Sequence, residues 1–169
     1  MTALAKASGG EQLGAKGKLK PLYEESLSLI ERLHRQLLDV IKDELDRRNE
    51  RVINSVQALL IFNIGDQELT AGELRTRGHY LGSNVSYNLK KLVEAGYILH
   101  ERSDLDRRSV HVSLTEKGRE IRDAVAKLFG RHLESIEAVG NVGTGDLENL
   151  NTSLKRLERF WMDQVRYRL

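Results

Sequence analysis

Between Tyr97 and Leu114 the hydrophobic pattern of the chain changes period. Tyr97-Ile98-Leu99-His100-Glu101-Arg102 and Val110-His111-Val112-Ser113-Leu114 are two short β-prone runs. The polar segment 103–109 between them makes the pair a hairpin. On both sides the apolar residues recur at three- and four-residue spacing, the period of amphipathic helices. The fold must therefore build one small hairpin into a helical body.

The helical parts can be placed one by one. Leu22, Leu29, Ile30, Leu33, Leu37, Ile41 and Leu45 form a stripe that predicts a long helix to about Arg48, with Pro21 in its first turn. Residues 1–18, rich in Gly, Ala, Lys and Ser without an apolar period, read as a mobile basic tail. A second helix follows Asn54 or Ser55, turns Val56, Leu59, Leu60 and Ile64 inward, and ends at Gly65. A short extended piece covers 67–70. Thr70 caps a helix over 71–77, with Glu73 as its capping-box partner. Gly78-His79-Tyr80-Leu81-Gly82 breaks it. Ser83 caps the next helix, which carries Val85, Leu89 and Leu92 and ends at Gly96. After the hairpin, Thr115 opens a helix with Ile121, Val125, Leu128, His132 and Ile136 on one face. Thr144 or Asp146 caps the last, with the stripe Leu147, Leu150, Leu154, Leu157, Trp161 and Val165. The expected fold is mainly α with a small β-hairpin: a winged helix–turn–helix over 51–118, with dimerisation helices over 19–50 and 119–169. The terminal stripes offer more apolar surface than one small domain can cover, and a second copy would bury it.

Composition narrows the function. The 169 residues contain no Cys, which excludes disulfides, thiolate metal sites and thiol redox switches. The N-terminus has no apolar segment of signal-peptide type, and no apolar stretch nears the roughly 20 residues needed to span a bilayer, so the expected compartment is the cytoplasm. Net charge is only +2, but residues 70–119 carry nine basic and six acidic side chains, while 21–69 carry six and ten. A basic middle between acidic or neutral flanks fits a nucleic-acid surface, although charged surfaces are also often merely solvated. G-x-S-x-G and phosphate-cradling glycine loops are both missing, so catalysis finds no support.

The most specific segment is Asp104-Leu105-Asp106-Arg107-Arg108-Ser109-Val110-His111-Val112-Ser113-Leu114-Thr115-Glu116-Lys117-Gly118. It resembles the wing and following helix start of the MarR family of bacterial transcription regulators, whose pattern is D-x-R, a strand, then L-T-x-x-G. The stretch from Glu73-Leu74 through Leu92 to Gly96-Tyr97 also fits that family's helix–turn–helix without insertion. The resemblance covers roughly 22–168. It implies a homodimeric regulator of double-stranded DNA, acting as a repressor on a pseudo-palindromic operator, without a cofactor. It also implies that Arg108 enters the minor groove and that a small aromatic or anionic effector binds between the dimerisation helices and the winged domain.

The residues support this on their own terms. Asp106 and Arg108 stand two apart in an extended loop, so the carboxylate can hold the guanidinium outward, and a rigid fork suits the narrow, strongly negative minor groove. A surface ion pair is the plainer reading of the same two residues. Arg107 is the phosphate neighbour. On the recognition helix, Ser83, Asn84, Ser86 and Tyr87 are hydrogen-bonding groups toward the N-terminal end, where base edges are met, and Lys90 and Lys91 suit phosphates. A solvated polar face is the alternative. Arg75 and Arg77 can touch the backbone from the preceding helix. Family members usually carry Leu near Gly78 and an apolar residue near Asn88; the two glycines and Tyr80 here point to an irregular turn. His34, Arg35 and Phe62 are candidates for an effector pocket. His34 and His132 lie on apolar stripes, where a satisfied core histidine is the ordinary reading. His100 and His111 sit on opposite hairpin arms as possible cross-strand neighbours, but no third ligand for a metal stands near. The rival function is a helical adaptor that uses the same fold for protein contacts, and Arg108 with the basic middle segment separates the two.

Overall fold

The computed structural model describes residues 7–66, 69, 70, 73, 82–102 and 110–167, with side chains over 17–66, 69, 73, 86–100 and 111–167. Two compact units divide the chain, one ending at Val125 and the other beginning at Ala126.

The first unit opens with helix α1, Ala7–Arg47. Asn49 ends it in the left-handed region at φ 56°, and the Glu50 N–H reaches back to the Leu45 carbonyl at 2.9 Å. Asn tolerates that conformation because its short polar side chain bonds locally. Helix α2, Ser55–Ile64, is started by a reciprocal cap. The Asn54 side chain accepts from the Gln57 N–H at 2.9 Å, and the Gln57 side chain accepts from the Asn54 N–H at 3.0 Å. Ile41 and Leu45 are buried where α1 packs on α2, whose inward residues include Ala58, Leu60, Ile61 and Ile64.

Strand β1, Leu69–Thr70, is followed after an interval by helix α3, Gly82–Glu94. Gly96 at φ 77° ends α3, and the Tyr97 N–H donates to the Leu92 carbonyl at 2.9 Å. Strands β2, Ile98–Arg102, and β3, Val110–Leu114, pair antiparallel from Ile98↔Leu114 to Arg102↔Val110. β1 pairs on the other side of β3, giving the order β1-β3-β2. The extended piece expected before the helix–turn–helix is thus a third strand of the sheet. Helix α4, Glu116–Ser135, begins in the first unit, where Ile121, Ala124 and Val125 are buried. Arg122 ties it to the end of α2 by pairing with Asp66. Its Nε also lies 2.7 Å from Asp123 Oδ1, an ion contact without hydrogen-bond alignment.

The second unit holds the rest of α4 and helix α5, Thr144–Tyr167. No residue of α5 is buried, and Leu150, Leu154, Phe160, Met162 and Val165 are exposed. On α1 the stripe behaves alike: Leu22, Leu29, Leu33 and Leu37 are exposed, and only its last members, Ile41 and Leu45, are buried.

Several expectations need correction. Residues 7–18 are not a coil, because α1 begins at Ala7 and Pro21 lies inside it. Once a helix exists, each further residue adds a hydrogen bond, and this extends it through glycines that would not nucleate one. Val56 points outward and Gln57 takes its place, since the cap fixes the helix phase. Ser83 lies within the first turn of α3 rather than before it. Thr144 begins α5, and Asp146, in its first turn, accepts from the Gly143 N–H at 3.0 Å, so of the two expected caps it is Asp146 that bonds the helix start. His34 and His132 are exposed, so neither is a core histidine. His100 pairs with Val112 and His111 with Glu101, so the two imidazoles lie on opposite faces of the sheet. The expected helix over 71–77 lies outside the described residues except at Glu73, which is helical.

Candidate nucleic-acid interface

Helix α3 is fixed from behind. Leu89 and Leu92 are buried on its inner side, and the helix packs against β2. Several side chains around these anchors turn outward. Ser86 is exposed, Tyr87 is 61% exposed, and Lys90 and Lys91 are exposed beside them. Tyr87, Lys90, Lys91 and Glu94 follow the three- and four-residue spacing of one face. Lys91 Nζ donates to Glu94 Oε2 at 3.2 Å, and Lys90 Nζ lies 3.9 Å from Glu94 Oε1. The hydrogen bond to Glu94 raises the Lys91 ammonium above its ordinary value. Asn88 is half-buried, in keeping with a polar group near the core side.

The joint between α3 and the hairpin is built on Tyr97, which is fully buried. Its hydroxyl donates to Glu50 Oε2 at 2.8 Å, and Lys117 Nζ lies 4.0 Å from its ring centroid. Burial first, and the Glu50 hydrogen bond second, push the phenol above its ordinary value. The L-T-x-x-G motif meets Tyr97 from the other side. Thr115 Oγ1 donates to the Gly96 carbonyl at 2.7 Å and accepts from the Gly118 N–H at 3.1 Å. The Thr115 N–H donates to the Tyr97 carbonyl at 3.1 Å. A Cβ on Gly118 would stand 2.2 Å from that same carbonyl oxygen, so only glycine fits. The motif therefore locks the hairpin base to the C-terminal end of α3. Glu50 and Tyr97 have no motif of their own and escape a reading by sequence.

The expected residues fare unequally. Ser86, Tyr87, Lys90 and Lys91 share an outward face of one helix. The backbones of Ser83 and Asn84 lie in its first turn, with their side chains outside the described residues. Asp106, Arg107 and Arg108 fall between the paired ends Arg102 and Val110, and they too lie outside the described residues, as do Arg75 and Arg77. His34 and Arg35 are exposed on α1, Arg35 standing 3.6 Å from Glu31, while Phe62 is half-buried on α2. A cavity of about 280 Å³ at the α1–α2 junction is lined by Lys42, Leu45, Asp46, Glu50, Arg51, Ile53, Asn54 and Ser55, and by none of those three. Among the described residues no three His, Asp or Glu stand together as metal ligands, and no helix is long and apolar enough to cross a membrane.

Comparison with known proteins agrees with this geometry. Residues 53–118 match the family model of a winged helix DNA-binding domain. The exopolysaccharide II synthesis transcriptional activator ExpG of Rhizobium meliloti is 36% identical over 145 residues, covering 86% of this chain and 74% of its own. Streptococcus pneumoniae FabT, solved in complex with DNA, superposes with a TM-score of 0.65 at 23% identity, covering 83% of this chain and 98% of its own. Staphylococcus aureus MarR, solved with salicylate and kanamycin, superposes at 0.67 with 22% identity, covering 87% and 97%. The chain accordingly belongs to the MarR family of winged helix–turn–helix DNA-binding transcriptional regulators, which are not enzymes.

Proposed function

We propose that the chain acts as a homodimer on a pseudo-palindromic DNA site in the cytoplasm. The observation that carries this reading is the outward face Ser86–Tyr87–Lys90–Lys91, anchored by Leu89 and Leu92 and followed directly by a hairpin. In a dimer, two such helices enter successive major grooves roughly 34–36 Å apart. Ser83, Asn84, Ser86 and Tyr87 meet bases and sugars, while Lys90, Lys91, Arg75 and Arg77 meet phosphates. Arg108, oriented by Asp106 and flanked by Arg107, enters the adjacent minor groove from the hairpin tip. The exposed apolar stripes of α1 and α5 support pairing of the terminal helices of two copies, with 19–50 and 119–169 as the dimerisation segments.

A small aromatic anion is proposed to lower DNA affinity by favouring a dimer with the wrong spacing, with His34, Arg35 and Phe62 as candidate contacts. The salicylate bound to Staphylococcus aureus MarR supports that chemistry. Repression follows where the site overlaps a promoter. ExpG is by name an activator, and occupancy upstream of a promoter would use the same surface. A gel shift on duplexes selected from a random pool, run across a salt series, tests the proposal. Affinity is expected to fall steeply with salt, and Arg108→Ala to cost about 1–3 kcal/mol. Salt-insensitive or absent binding would favour the adaptor.

A further inference from the structure

The two lysines of the recognition helix are not idle in the free protein. Both turn to one carboxylate: Lys91 Nζ at 3.2 Å from Glu94 Oε2 and Lys90 Nζ at 3.9 Å from Oε1. Helix stability is a poor account of this arrangement. Glu94 is the last residue of α3, where the helix dipole disfavours a carboxylate. The order Lys before Glu is also the weaker orientation for a pair four residues apart. The exposure of the three side chains, from 49% to 76%, leaves both ammonium groups reachable by an outside anion.

Resting on the DNA-binding reading above, we propose that Glu94 sets the affinity of the recognition surface by occupying Lys90 and Lys91 until a phosphate displaces it. Duplex binding then exchanges an internal carboxylate for DNA phosphate at each ammonium. The trade weakens contacts that carry no sequence information and leaves base contacts, nearer the other end of α3, untouched. Glu94 thus lowers the affinity for any duplex through the two ammonium groups, whatever the base sequence.

The test measures wild type and Glu94→Gln by fluorescence anisotropy on a random-sequence duplex and on a selected site, across a salt series. Glu94→Gln is expected to tighten both the random duplex and the selected site about two- to ten-fold at low salt. The salt slope should stay nearly the same, because both proteins neutralise the same phosphates in the complex. In a Lys90→Ala/Lys91→Ala background the same substitution should do nothing, because its effect runs through those ammonium groups. Thermal melting should be unchanged or slightly higher. An unchanged affinity, or a gain that persists without the two lysines, would overturn the inference while leaving DNA binding intact. A wild type that retains neither duplex would overturn the function itself and this inference with it.

Discussion

Gly118 shows how much one missing methyl group can govern. Its Cα faces the Tyr97 carbonyl so closely that a Cβ would overlap the oxygen. Gly118→Ala should therefore destabilise the winged unit by about 1–3 kcal/mol or more through overpacking, read as a lower midpoint in chemical unfolding. Tyr97 offers a second check. Tyr97→Phe removes the hydrogen bond to Glu50 and should cost about 1–3 kcal/mol. The sign with pH follows from the raised phenol. The folded state prefers the neutral form, so this stabilisation is fully present below the ordinary value near 10 and is lost as pH climbs beyond it. Unfolding midpoints of the wild type should fall more steeply at alkaline pH than those of Tyr97→Phe. The L-T-x-x-G motif was visible in the sequence, but its reason was not. It depends on residues 96, 97 and 118 meeting across the hairpin, which no local pattern encodes. His34 misled for a related cause: its stripe is apolar, yet most of the stripe's outer length is exposed.

Elements with strong local signals were legible. Asn54 and Gln57 are three apart and both hydrogen-bond, so the start of α2 could be read to within a residue. Asn54→Ala should lose about 1 kcal/mol of stability in equilibrium unfolding, with little change in DNA affinity. The hairpin arms matched because alternation and turn chemistry agreed over 98–114. One element was misjudged where local and cooperative effects diverge. Pro21 suggested a helix start, but α1 continues to Ala7 by propagation from a long, well-formed helix. The short strand expected before the helix–turn–helix is present at Leu69–Thr70, where β3 offers an open edge to pair with. On α3 the outward face was legible from the inward spacing of Leu89 and Leu92. The pairing of both lysines with Glu94 depends on side-chain conformation, which spacing permits and does not dictate.

At the scale of the whole molecule, the dominant fact is apolar surface left open. α5 buries nothing, and seven large apolar residues of α1 before Ile41 are exposed, among them Leu22 and Leu33. Isolated exposed leucines are ordinary, but several large apolar residues exposed along α1, and several along α5, support the proposed pairing of copies through these helices. Leu154→Asp, placing a charge in the middle of the α5 stripe, should shift a dimer toward monomer in sedimentation equilibrium and weaken DNA binding with it. The most direct measurement is the mass of the complex with a selected duplex, by native mass spectrometry or sedimentation velocity. Two 19.2 kDa chains on each duplex are the expected result. A single chain bound to each duplex, or a monomer that associates with neither DNA nor itself, would contradict the account.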